Sequence, residues 1–565
     1  MDIQEQLIRE FRIVEPTGNI EIIIKYHGDL AAIASRLEAV AEELNENYAI
    51  LTLPAYRVPT IFDIPQVEYY ELPKTVTFQI QRGTDLTGIR RVQSAEEFNL
   101  KGNGVLVGII DSGIDYTHPD FRHADGTTRI LYIWDQSAPS GTPPTGFRSG
   151  HLYTAEDLNT ALLSNDPLSI VPEQDTVGHG TAVAGVAAGN GRSSQGVYTG
   201  AAPEAQIIAV KLTPYPQPGF SRSTDIMRGV KFCLDIAEGL EMPIAINISY
   251  GTNEGAHNGS SLFETYLDSA AQRWKNVICV AAGNERSAGH HYRGTVSQGQ
   301  TLEIQFAIGE NIRNIFLSCW KNFADNFQVE IISPSGSSSG IISPLNRITR
   351  VVLDGVRITI LYGQPNHYNI NQEIYIGLEA ITGAIRQDIW KLVLRGMQVV
   401  DGNFDVWLPM TDMVTERTSF LEPSPITTVT IPSTAYSVIC VGGYDALRNS
   451  VAFFSGLGFT YMTYGQKPDI VAPAVNIVTT AAGGGYDSFT GTSLAAPFVT
   501  GAAALMMEWG HVKRNDPFLF GQRVKAFLCR NASRNFPVSF PNEAWGYGVL
   551  NLIATMNDLR ELIQT

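Results

Sequence analysis

The sequence is poor in the features that mark nucleic-acid-binding, membrane-spanning or disulfide-stapled chains. Lys and Arg number 40 against 56 Asp and Glu, a net charge of −16. A chain that acidic repels phosphate backbones and anionic lipid headgroups. No apolar run approaches the ~20 residues a membrane-crossing helix needs. Neither nucleic acid nor a membrane is therefore expected as a partner. The five cysteines (Cys233, Cys279, Cys319, Cys440 and Cys529) are scattered, odd in number and without metal-site spacing. Cys279 and Cys440 lie inside the runs Val277-Ile278-Cys279-Val280 and Val438-Ile439-Cys440-Val441, where they read as buried strand fillers. The start, Met1-Asp2-Ile3-Gln4-Glu5-Gln6, lacks the basic and apolar regions of a secretory signal. Sec export is not expected, and a reducing, intracellular compartment fits both observations.

Length and apolar content are plentiful. At 565 residues, 44% hydrophobic and 17% charged, the chain is globular and too long for one ordinary core. Residues from about 19 to 72 predict a small α+β unit. Ile22 to Tyr26 is strand-like, Leu30 to Leu44 carries Ile33, Leu37, Val40, Ala41 and Leu44 at helical spacing, and Tyr48 to Leu53 and Val67 to Leu72 are again strand-like. From about 101 to 293 apolar strands alternate with periodic helices, which predicts an α/β domain built on a parallel sheet. From about 294 the pattern becomes short alternating strands at 301–306, 315–319, 328–332, 357–362, 373–376, 389–394 and 404–408. Turns such as Ser333-Pro334-Ser335-Gly336 separate them, predicting an inserted all-β, jelly-roll-like sandwich. The α/β pattern resumes at Thr427 to Ile431 and Val438 to Gly442. The expected division is 1–80, a connector over 81–100, 101–293, the insertion 294–425, and 426–565.

Three short stretches carry chemistry. Gly491-Thr492-Ser493-Leu494-Ala495-Ala496-Pro497 sets a hydroxyl at the start of an apolar helix, where unpaired N–H groups and positive potential favour a nearby oxyanion. Alone, a Ser before a helix is more often an N-cap. Val105-Leu106-Val107-Gly108-Ile109-Ile110-Asp111-Ser112-Gly113 is a buried-strand run ending in a carboxylate, which places Asp111 at the sheet edge where α/β proteins keep their sites. Gly178-His179-Gly180-Thr181 puts a His between glycines at a second helix start. Together they give the chain order Asp, His, Ser, the order of subtilisin.

On these three motifs the chain resembles the subtilisin-like serine proteases. The resemblance implies a triad in which Asp111 orients His179, His179 takes the proton of Ser493, and Ser493 forms an acyl-enzyme. Val277 to Glu285 matches the family's next motif and implies that the Asn284 amide faces the oxyanion. Ala281, Ala282 and Gly283 line the site beside it. Ser249, Tyr250 and Gly251 correspond to one groove wall, and the segment around Gly219 to the edge strand that pairs with substrate. Asp469 to Ala474 and Gly546 to Asn551 match the family's segments around the Ser helix. The N-terminal unit resembles the family's inhibitory prodomain, so a protein or peptide substrate and the chain's own prodomain in the groove are the expected partners. In the connector, Gln79, Gln81 or the Arg90-Arg91 pair adjoin a self-cleavage site. No metal or other cofactor is expected. The turn Asp115, His118, Asp120 is chiefly structural in the family although its Asp can bind calcium, and Gly189 to Gly200 lacks a clear carboxylate set, so calcium is not favoured.

The prodomain-like region, the insertion and the lack of an export signal together resemble the clostridial germination (Csp) proteases. That implies a spore-associated enzyme acting on the zymogen of a spore-cortex hydrolase. The alternative is a non-catalytic sensor or scaffold acting through the groove and the inserted β domain; chains of that kind lose triad residues, and all three are present here.

Overall fold

The computed structural model describes residues 18–73, 75–76, 83–215, 217–365, 367–458 and 466–564. Lys74, Gln79 and Gln81 of the connector lie outside them. The largest sheet has nine strands. Its parallel centre runs Ile470–Pro473, Ile439–Asp445, Asn276–Ala281, Ile244–Ile248, Leu106–Asp111, Gln206–Lys211 and Ile130–Asp135, with antiparallel edges at 450–451 and 151–154. These strands are continuous apolar runs because both faces are covered. Val107 and Ile109 face a core shared with the helices His179–Ala188 and Ala495–Met507. Leu106 and Ile110 face the opposite core, under the helices Ser223–Gly239 and Leu262–Ala271. Thr427 to Ile431, read as part of the resumed α/β pattern, forms no strand; it crosses beneath the strand end at Ala282, whose carbonyl accepts from Thr430 N at 2.9 Å.

The insertion is two antiparallel sheets over one core. A six-stranded sheet runs 291–295, 403–407, 314–322, 371–380, 356–362, 348–353, and a four-stranded one runs 326–332, 388–398, 301–308, 419–420. Alternating residues such as Ile304, Phe306, Ile358, Ile376, Leu392 and Val406 fill the space between them. Phe420 N donates to Gly289 O at 2.8 Å and Ser424 N to His291 O at 2.7 Å, so the chain enters and leaves the sandwich at one place, where His291–Thr295 also pairs with Asn403–Trp407. There the Trp407 ring stacks between His257, at 4.3 Å, and His291, at 4.8 Å.

The N-terminal unit is a four-stranded antiparallel sheet of order 40–45, 48–54, 19–26, 67–71. Here the helical reading of Leu30 to Leu44 is corrected. The helix covers only Leu30–Arg36, because Glu38 takes φ 53°, and Val40–Asn45 then pairs with Tyr48–Pro54 as a strand. The unit docks on the two helices of the second core face. Tyr48 OH donates to Thr265 Oγ1 at 2.8 Å, Asn45 Nδ2 to Ser269 Oγ at 3.1 Å, and Arg228 reaches both Glu21 and Glu42. Among the described residues no helix is long and apolar enough to cross a membrane.

Candidate active site

Asp111 is the last residue of a fully buried strand, so its carboxylate emerges where that strand leaves the sheet. His179 opens its helix after Gly178, which has φ 83°. The glycine on the other side has a steric reason: a Cβ on Gly180 would sit 2.1 Å from the Gly113 carbonyl oxygen. Only glycine lets the His helix come this close to the Asp strand. The result is an Nδ1–H of His179 donating to Asp111 Oδ1 at 2.6 Å, with Ser112 N donating to the same oxygen at 2.7 Å. Burial pushes the Asp111 carboxyl up, and the His179 ring and Ser112 N–H pull it back. Paired and hydrogen-bonded, the carboxylate fixes the ring's tautomer and leaves Nε2 as the basic nitrogen.

Ser493 precedes the N-terminus of Ala495–Met507 and is almost wholly buried. Its Oγ donates to Ser249 O at 3.2 Å, and Ser249 Oγ donates to Ser493 O at 2.8 Å. The Tyr250 ring stands edge-on to His179, centroids 6.3 Å apart. Consecutive residues of one strand end thus touch the hydroxyl and the imidazole. Across from them, Asn284 Oδ1 accepts from Thr492 N at 3.3 Å, and Gly283 N donates to Thr492 Oγ1 at 3.1 Å. With its oxygen engaged by the residue before Ser493, the Asn284 amide has its NH₂ left as a donor.

The comparisons with known proteins place the chain in a family. The model of the subtilase family (Peptidase S8) matches residues 102–343 and 402–548, and the Csp protease B prodomain model matches residues 2–74. The chain belongs to the subtilase family. Its fold is that of the subtilases. The solved CspB protease of Clostridium perfringens is 38% identical, with a TM-score of 0.78, covering 85% of this chain and 97% of that one. The PII-type proteinase of Lactococcus lactis subsp. cremoris is 23% identical over 88% of this chain and 27% of the relative. The minor extracellular protease Vpr of Bacillus subtilis is 23% identical over 78% of this chain and 49% of the relative. The chain thus spans about a quarter of the length of the first curated relatives it matches.

Within the subtilase frame the groove residues divide. Ser249 and Tyr250 line the site as described, and Gly251 is needed because a Cβ there would lie 2.5 Å from Thr430 Oγ1. Ala281, Ala282 and Gly283 are buried, and their backbone is spent inward: Ala282 N on Val441 O, Ala282 O on Thr430 N, Gly283 O on Gly456 N. Gly219, expected in the edge strand, lies in a turn with φ 95°, and the strand Ser221–Arg222 begins two residues later. That strand is occupied. Thr75–Val76, the end of the N-terminal unit, pairs with it antiparallel.

One supporting residue escaped the sequence reading. Asp175 accepts from Ser112 Oγ at 2.7 Å, Gly178 N at 2.9 Å, Thr181 N at 2.8 Å and Thr181 Oγ1 at 2.7 Å; Ser112 Oγ accepts from Gly180 N at 2.9 Å. This knot joins the loop after Asp111 to the start of the His helix. Its signal was an Asp four residues before the His, which without the fold looks like any turn residue. The Asp115, His118 and Asp120 side chains are engaged within the protein. Asp120 accepts from Ser193 N at 2.8 Å and Tyr486 OH at 2.7 Å, Asp115 from Gly483 N at 2.9 Å, and His118 Nε2 lies 2.9 Å from Gly485 O. Among the described residues no three potential ligands gather around a metal position.

Proposed function

We propose that the protein is an endopeptidase that cleaves peptide bonds through Asp111, His179 and Ser493 with Asn284 as oxyanion donor, and that its physiological target is the zymogen of a spore-cortex hydrolase. The single observation that carries the catalytic reading is the 2.6 Å bond between His179 and Asp111, with Ser493 held on the same wall. His179 Nε2 removes the Ser493 proton as Oγ attacks the substrate carbonyl. The new alkoxide is met by the Asn284 NH₂ at the positive end of the Ala495–Met507 helix, donors that gain most in the transition state. The His179 imidazolium, stabilised by Asp111, returns the proton to the leaving amine, and water repeats the sequence on the acyl-enzyme. Substrate enters as an added strand beside Ser221–Arg222.

The pairing of Thr75–Val76 with that strand supports the N-terminal unit as prodomain, whose tail takes the substrate's place. The 38% identity to a Csp protease supports the germination target and a spore-associated, intracellular location. A fluorophosphonate probe tests the chemistry. It is expected to label Ser493 in the parent and to leave Ser493→Ala and His179→Ala unlabelled. A folded sample, freed of its N-terminal unit, that takes no label would leave the sensor reading in its place.

A further inference from the structure

Glu285 follows Asn284 directly, and its carboxylate has no part in the chemistry above. Burying such a charge costs several kcal/mol unless donors meet its lone pairs. Four donors meet this one. Oε1 accepts from Thr411 N at 3.2 Å and Thr411 Oγ1 at 2.9 Å; Oε2 accepts from Asn253 Nδ2 at 3.1 Å and lies 2.6 Å from His290 Nδ1. Burial pushes the carboxyl up, but the His290 ring and the Thr411 donors outweigh it and hold it below the ordinary range.

Those donors span a domain junction. Asn253 follows the groove wall Ser249 to Gly251 and also reaches Leu408 O, at 3.2 Å. His290 stands one residue before the first strand of the sandwich, and its Nε2 lies 3.0 Å from Thr418 O. Thr411 follows the strand Asn403–Trp407. Alongside them opens a cavity of about 460 Å³, lined by Asn284 and Thr490 on the catalytic side and by Thr411, Asp412, Thr415 and Glu416 of the insertion. Asn284 thus borders open space on that flank, while the residue that follows it is tied to Thr411 of the insertion.

We propose that Glu285 is a positioning residue: it bolts the turn carrying the oxyanion donor Asn284 to the inserted sandwich, so that the sandwich contributes to catalysis by holding that donor in place. The proposal rests on the endopeptidase reading and concerns only the rate of its chemical step. Displacing a reacting group by about 1 Å can cost ~10²-fold. Glu285→Gln, near-isosteric but uncharged, is expected to lower kcat about 10-fold, with KM changed less than about twofold. Thr411→Val, which removes one donor from the insertion side, should lower kcat by a smaller factor.

The test is a double-mutant cycle on fluorescein-labelled casein, using the full chain with active sites counted by end-point fluorophosphonate labelling. Asn284→Ala removes the donor itself. If Glu285 acts through Asn284, neither Glu285→Gln nor Thr411→Val lowers kcat further in that background, whatever either does to thermal unfolding. Equal losses of kcat in both backgrounds, or none in the parent, overturn the proposal. Restored kcat in Glu285→Asp relative to Glu285→Gln would further support it. A folded parent, freed of its N-terminal unit, that takes no label and turns over no casein fails the endopeptidase reading itself, and the proposal falls with it.

Discussion

Two carboxyl groups near the triad, only two residues apart, are solved by the fold in opposite ways. Asp175 collects four donors. Glu173 lies buried against the Lys211 ammonium at 3.6 Å, with Asp135 and Asp175 nearby. Burial pushes its carboxyl up to about 8, with Lys211 pulling the other way and the two aspartates adding to the rise. An acid whose pKa is raised on folding takes up a proton as the chain folds. Its contribution is therefore fully present below the unfolded value of 4.5 and is lost as pH rises towards 8. Glu173→Gln keeps the shape and removes the titration. Its stability relative to the parent, read from urea midpoints, should climb between pH 5 and 9 by up to ~4 kcal/mol. A parallel pair of curves would show that Glu173 stays ionised. None of this was legible in the sequence, where Glu173 and Asp175 stand in an ordinary polar loop. The candidate triad stood out because each member sits in a motif whose neighbours are fixed by local geometry: the glycines around His179, the apolar strand before Asp111, the small residues after Ser493.

At the scale of elements, the short helix and strand that replaced one expected helix explain what the N-terminal unit is held by. Apolar spacing over Ile33, Leu37, Val40, Ala41 and Leu44 fits a helix, but in the strand Val40–Asn45 the residues turned inward are Glu42 and Leu44. An inward Glu makes no sense within the unit itself. It makes sense against the helix Ser223–Gly239, where Arg228 Nε donates to Glu42 at 2.6 Å and Nη1 to Asp225 at 2.9 Å, while Glu21 takes a further bond from Arg228 and one from Thr224 Oγ1. The partner lies far along the chain, so periodicity within one unit could not reveal it. Three carboxylates around one guanidinium are tolerable only while the cation is there. Removing one partner of a buried ion pair costs about 3–5 kcal/mol. Arg228→Met should loosen docking accordingly, speeding amide exchange in the strand Asn19–Tyr26 by roughly 10²–10³-fold in the full chain. Unchanged protection would mean that the apolar contacts of Tyr48 and Ile50 suffice alone.

For the molecule as a whole, the three units meet pairwise. Tyr368 of the insertion touches Lys25, at 4.2 Å, and Tyr69 of the N-terminal unit, which in turn rests on the catalytic helices. The tail of that unit pairs at Thr75–Val76 with the strand Ser221–Arg222, proposed above to receive substrate, and the described chain resumes at Gly83. Arg90 and Arg91 sit in the helix Ile89–Ser94, with Arg90 Nε bound to Asp85 at 2.9 Å, whereas a protease needs its target extended. If the N-terminal unit is a prodomain, the chain's own first cut therefore falls between Val76 and Gly83 and not at the Arg pair. Such a cut is intramolecular, so its rate should not change on dilution. Ser493→Ala removes the nucleophile; in subtilisin the corresponding loss lowers kcat about 10⁶-fold, enough to stretch one second to about ten days. On denaturing gels the parent should yield an N-terminal fragment whose intact mass places its end in that window. Ser493→Ala should run as one chain. Arg90→Ala and Arg91→Ala together should leave processing untouched. A fragment ending at Arg90 or Arg91 would move the cut into the helix and require it to unfold first. Equal processing of Ser493→Ala in a protease-free preparation would make the cut another enzyme's work and leave the strand pairing at Ser221–Arg222 as an inhibitory contact alone.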